Sequence, residues 1–239
     1  MYLPDPCPAK AVKDFREGMR RAKLFMGCVM RGKVPERVLL IIDVQNDFCP
    51  GGSLAVEEGD AVVPVINAIM PLFHRVVATQ DWHPPDHVSF ASSHPGHKPL
   101  DLVDAGGIEQ VLWPDHCVQA TRGAELHPRL ESGRIELVLR KGLRRNLDSY
   151  SAFFENDRRT DTGLRYYLKG MGTREIYLCG LATDYCVLAS AVDARKLGFR
   201  VTLVRDACRG VDHPKGSVQE ALATMEKAGV IMTESAAIR

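Results

Sequence analysis

The chain has 239 residues, 45% hydrophobic and 26% charged, enough apolar material to fill the core of one large α/β domain or two small ones. Its 31 Lys and Arg balance 30 Asp and Glu for a net charge of +1, which removes the electrostatic case for nucleic acid or an acidic membrane surface. No apolar run nears the roughly 20 residues that span a bilayer, and the 7 cysteines show no CxxC spacing, which speaks against a zinc ribbon or disulfide framework and for reduced thiols in a cytoplasmic setting.

Residues 1–34 stand apart as a basic N-terminal extension, in which Val12, Phe15, Met19, Ala22, Met26 and Val29 recur at spacings of three and four. That period suits an amphipathic helix docked on the domain or on a partner subunit, with a disordered tail as the alternative and Met30 as a second candidate start. Residues 35–239 form the expected domain.

From residue 37 a regular alternation begins. The run "RVLLIIDV" (37–44) is apolar throughout and ends in an acid, as a fully buried parallel strand does. A helix follows over 59–74, then a strand at "RVVATQ" (75–80). The Pro-, Gly- and His-rich stretch 80–134 is too long for a simple connection and reads as a functional insertion. Strands at 135–142, 174–180, 199–207 and 230–235 then alternate with helices over 160–172, 183–198 and 215–229. The pattern predicts an α/β fold of three layers, α/β/α, on a mainly parallel six-stranded sheet, with strand order left open. Ligands in such folds sit beyond the carboxyl ends of the strands, so the residues just after each apolar run carry the functional signal.

Three of those residues make a set. Asp43 follows five apolar residues, where an ionised carboxylate needs a partner. Lys141 ends the third strand and can supply one, since a buried ion pair survives where either charge alone does not. Cys186 lies at the expected first turn of a helix, whose free N–H groups and dipole would favour the thiolate, whereas Cys179, inside a strand, suits an ordinary core role. Acid, lysine and thiol together describe an activated nucleophile. Asp47 reads as an ordinary turn residue. In "ATQDWHPPDH", Asp81 and His83 at i and i+2 point to one side of an extended backbone. With His116 of "LWPDHCVQ" they offer three ligands to a divalent metal, leaving open positions of the catalytic kind. His87 is a further candidate ligand, direct or through water. His94, His97 and His127 read as loop surface.

These residues, in this order, resemble the isochorismatase-like cysteine hydrolases, and among them the nicotinamidases. The resemblance covers about residues 37–235 and rests on "DVQNDFCPGGSLAV", "VATQDWHPPDHVSF", "LWPDHCVQ", "RKGLRRNLDSYSAFFEN" and "CGLATDYCVLASAVDA". It implies the isochorismatase-like (Rossmann-like) fold and a catalytic triad of Asp43, Lys141 and Cys186. It further implies one divalent metal, zinc before iron or manganese, on Asp81, His83 and His116, and no organic cofactor. A substrate pocket of Phe48, Leu54, Trp113, Leu181, Ala182 and Tyr185 is also implied, with a non-proline cis peptide at Leu181–Ala182. The implied reaction is hydrolysis of nicotinamide to nicotinic acid and ammonia through a cysteine thioester, feeding NAD salvage, with pyrazinamide as a second substrate. Cys186 sets the chain apart from isochorismatases proper, which lack the thiol; the alternative is an amidase of the same fold acting on N-carbamoyl or ureido compounds. The expected partners are small molecules, with no nucleic acid or membrane, and with a homo-oligomer left open.

Overall fold

The computed structural model describes residues 37–239, so the expectations for residues 1–34 lie outside the described residues. Six strands form one sheet, β1 (Arg37–Ile42), β2 (Arg75–Asp81), β5 (Leu137–Lys141), β6 (Glu175–Leu181), β7 (Arg200–Arg209) and β8 (Ile231–Thr233), in the order β5-β2-β1-β6-β7-β8. Every pairing in it is parallel. The helices are α1 (Val62–Ile69), α2 (Leu164–Gly170), α3 (Leu188–Lys196) and α4 (Ser217–Lys227). The chain moves one way from β1 to β2 and the other way from β5 through β8. Right-handed crossovers therefore put α1 on one face of the sheet and α2, α3 and α4 on the opposite face.

The all-apolar run Val38–Ile42 becomes the central strand, and each of its five side chains is fully buried, worth roughly 1.5–3 kcal/mol apiece. Because β1 separates β2 from β6, the direction of strand order reverses beside it. That reversal opens the crevice where α/β sheets take their ligands.

The structure departs from the sequence pattern in three places. The helix expected over 59–74 is broken: single 3-10 turns at Gly59–Ala61 and Met70–Leu72 flank α1, the second carrying Pro71, which lacks the N–H to continue the ladder. The helix expected over 183–198 opens as a wide π-type turn, Thr183–Val187, before α3 begins. The insertion contains an antiparallel hairpin, β3 (Leu102–Asp104) with β4 (Glu109–Val111), too short to show a strand period in sequence. Among the described residues no helix is long and apolar enough to cross a membrane.

Candidate active site

The ends of β1, β2, β5 and β6 converge on one buried cluster. Asp43 is the first residue after β1, and its left-handed backbone (φ 47°) turns the chain sharply there. Its Oδ1 accepts a 2.6 Å hydrogen bond from Thr79 Oγ1, and its own N–H donates back to that hydroxyl at 3.2 Å. Its Oδ2 faces the ammonium of Lys141 at 2.9 Å. Lys141 ends β5, where it is the register neighbour of Asp81 across β2. From there Nζ donates to Asp81 Oδ1 at 2.5 Å, to the Ser149 carbonyl at 2.8 Å and to Cys186 Sγ at 3.5 Å. The pair expected from sequence is thus a triangle: β2 lies between β5 and β1, so Lys141 serves Asp81 as well as Asp43.

Electrostatics follow from this burial. Desolvation pushes Asp43 up to about 6 even with Lys141 opposing it. Asp81 starts from the same desolvation but ends well below the ordinary carboxylate range, because Lys141 and His83 adjoin it. Lys141 is raised far above its usual value, since its two carboxylates outweigh the loss of water. For Cys186 the expectation of a lowered pKa is reversed. Burial pushes the thiol well up, and Asp43, Asp81 and Asp148 add to that effect against Lys141. A neutral thiol needs a base, and oxygens of Asp43 and Asp81 lie with the sulfur inside a 4.8 Å group. The sulfur's own hydrogen-bond partner is Lys141; proton-transfer contacts are commonly long before substrate binds.

Beside this cluster, one donor atom each from Asp81, His83 and His116 lies within 4.8 Å of the others, all three residues buried. The set fits a divalent cation. His83 Nδ1 is 3.0 Å from the Gly142 carbonyl and His116 Nδ1 is 2.8 Å from the Pro114 carbonyl, so each ring turns its Nε2 inward. His83 Nε2 faces Asp81 Oδ2 across 3.7 Å. Burial and the neighbouring His83 lower His116 to about 4, which keeps it neutral as a ligand must be. His87 takes a different place. Its Nδ1 lies 2.7 Å from Ser89 Oγ, its Nε2 3.3 Å from the Leu147 carbonyl, and its ring stacks on His83 at 4.1 Å. With both nitrogens engaged it backs His83 rather than joining that set, though it groups with His83 and Asp148.

A pocket opens over Cys186, walled by Phe48, Leu54, Trp113, Ala182 and Tyr185 and floored by Asp81, His83 and His116. Trp113 meets Tyr185 edge-on at 4.8 Å. Leu181, expected in the wall, is instead fully buried in the core, because alternation along β6 turns it away; the cis peptide that joins it to Ala182 is present. Asp148, Tyr150 and Val211 also line the pocket and were not read from the sequence. Asp148 accepts hydrogen bonds from Gln110 Nε2 of β4 at 2.9 Å and from the Ser149 N–H at 2.8 Å. No local pattern marked it, since its partner comes from the hairpin. Asp47 does more than turn the chain: Oδ2 accepts the Cys117 N–H at 2.7 Å and Oδ1 the Ser53 N–H at 3.3 Å. It ties the loop that carries His116 to the loop after β1.

Known proteins share this arrangement of elements. The isochorismatase domain model matches residues 37–237. A nicotinamidase of Acinetobacter baylyi is 50% identical over 192 residues, 80% of this chain and 89% of its own. A solved nicotinamidase and pyrazinamidase of Acinetobacter baumanii is 46% identical with a TM-score of 0.83, covering 85% of this chain and 99% of that one. A Pyrococcus horikoshii pyrazinamidase solved in complex with zinc is 36% identical with a TM-score of 0.68, covering 84% and 99%. With the family model spanning residues 37–237, and sequence and fold similar over nearly the whole described region, the chain belongs to the isochorismatase family.

Proposed function

We propose that the protein is a nicotinamidase, a hydrolase that converts nicotinamide to nicotinic acid and ammonia by way of a thioester on Cys186. Supply of nicotinic acid to NAD salvage and deamidation of pyrazinamide go with that reading. The observation that carries it is the buried ammonium of Lys141 in contact with Asp43, Asp81 and Cys186, beside a pocket walled by aromatic side chains. Names of relatives at 46–50% identity support the choice of amide.

The roles follow from position. Asp43, raised to about 6, accepts the thiol proton, a contribution typically of about 10²–10⁴ in rate. Lys141 holds the resulting charges in register. The sulfur bonds to the carboxamide carbon, and the oxyanion falls to backbone N–H groups at Ala182 and Cys186, each such donor worth about 3–4 kcal/mol. Asp43 returns its proton to the departing ammonia, and water then cleaves the thioester. Phe48, Leu54, Trp113 and Tyr185 clamp the ring. Asp81, His83 and His116 would hold a divalent ion, zinc by analogy with the Pyrococcus relative, and that ion would supply a Lewis acid to the substrate ring.

Ammonia release from nicotinamide, set beside N-carbamoyl and ureido amides, tests the reading. Nicotinamide should be preferred by at least about 100-fold in kcat/KM, a difference of roughly 2.7 kcal/mol in transition-state binding. Preference for a ureido substrate would overturn it.

A further inference from the structure

Thr79 sits inside β2 as a polar residue among Val76, Val77 and Ala78, fully buried and away from solvent. A hydroxyl has one hydrogen to give and two lone pairs to offer. The N–H of Asp43 points at Thr79 Oγ1 from 3.2 Å, which occupies a lone pair, and the hydroxyl hydrogen is directed at Asp43 Oδ1 2.6 Å away. The other carboxylate oxygen, Oδ2, is buried with no hydrogen bond aligned on it, the Lys141 ammonium lies 2.9 Å from it, and the carboxylate shares a 4.8 Å group with an Asp81 oxygen and the Cys186 sulfur. The left-handed backbone of Asp43 lets its N–H and its carboxylate reach the same hydroxyl.

We propose that Thr79 is a positioning residue that decides which oxygen of Asp43 carries the catalytic proton. By filling Oδ1 with its own hydrogen, it reserves Oδ2 as the base and later as the acid. The inference rests on the nucleophilic reading of Cys186 above. In the first step the thiol proton moves to Oδ2 as the sulfur pair forms the S–C bond and the carbonyl π pair moves to oxygen. On collapse the C=O bond re-forms, the C–N bond breaks, and nitrogen takes the Oδ2 proton to leave as ammonia. Without Thr79 the proton can settle on Oδ1, the oxygen that the threonine hydroxyl otherwise occupies. The loss falls on leaving groups that need a proton and spares those that do not.

The test compares Thr79→Val, Thr79→Ala and Thr79→Ser with the native enzyme, at metal contents matched by elemental analysis. Two substrates are used: nicotinamide, and 4-nitrophenyl nicotinate, whose phenolate departs unprotonated. The Val and Ala variants should lose at least about tenfold in kcat on the amide with KM within about threefold, as misplacement of a reacting group does. They should stay within about threefold of native on the ester, and Ser should restore the amide rate. Equal loss on both substrates, no loss on either, or failure of Ser to rescue would overturn the assignment. If the native enzyme ignores nicotinamide, the substrate reading falls, and the same contrast on whichever amide it cleaves still tests Thr79. If Val does not fold, Ala and Ser carry the comparison.

Discussion

The Lys141 side chain is fully buried, and its charge is met by Asp43 and Asp81, with Cys186 as a third neighbour. Removing one member of a buried ionic group strands the others, at a cost of about 3–5 kcal/mol. Lys141→Met should therefore lower unfolding free energy in urea by about that much besides ending turnover; unchanged stability would mean the carboxylates are satisfied elsewhere. Asp43 sets the pH response. A general base works only when ionised, and burial raises this one to about 6, so kcat/KM should fall below that pH and level off above it. A cation on Asp81 draws the limb lower, so it belongs at or below pH 6; an acid limb centred above pH 7 would assign the base elsewhere. Asp43 was legible in sequence because an acid directly after five apolar residues is anomalous. Its Thr79 partner was not, since a threonine inside a strand is unremarkable until the neighbouring strand is known.

At the scale of elements, the site depends on how closely loops approach one another. Gly142, just past β5, has φ 64°, and a Cβ there would lie 2.3 Å from the His83 ring, whose Nδ1 faces its carbonyl. Gly142→Ala should push His83 out of place and weaken metal binding by about 10–100-fold, the usual penalty for disturbing a ligand's support. Metal titration of the stripped protein measures this, and native affinity in the variant would show that the ring can yield freely. The six strands of the main sheet were readable because short apolar runs bounded by turn residues and alternating with helical patterns fit buried parallel strands and little else. The hairpin was not, since its three-residue strands are largely exposed and stand outside the strand–helix alternation, and so its Gln110 contact with Asp148 carried no signal in the sequence. The π-type turn at Thr183–Val187 was missed for a different reason. Helical spacing of apolar residues does not register one widened turn, yet that turn seats Cys186 beneath the pocket instead of at an exposed helix end. Burial then reverses the expected direction of its pKa.

For the molecule as a whole, strand order is what assembles the chemistry. Residues separated by up to 143 positions, Asp43 to Cys186, meet only because β1 lies between β2 and β6. Sequence alternation gives the layers but not which strands are neighbours, which is why Lys141 was expected to serve one carboxylate and in fact serves two. The same convergence links metal to fold. A cation bound on Asp81, His83 and His116 stabilises only the folded state, by about 2.7 kcal/mol at a free concentration one hundred times Kd. Chelation should thus lower the melting temperature and abolish turnover, both restored by zinc; a melting curve indifferent to chelator would remove these residues from metal binding.

The most direct test of covalent catalysis is mass spectrometry of the protein quenched during turnover of a slowly deacylating nicotinoyl substrate. The account predicts one nicotinoyl group on the peptide containing Cys186, absent from Cys186→Ala, which should retain metal but form no nicotinate. An unmodified Cys186 under conditions of steady turnover, or turnover by the Cys186→Ala protein, would contradict it.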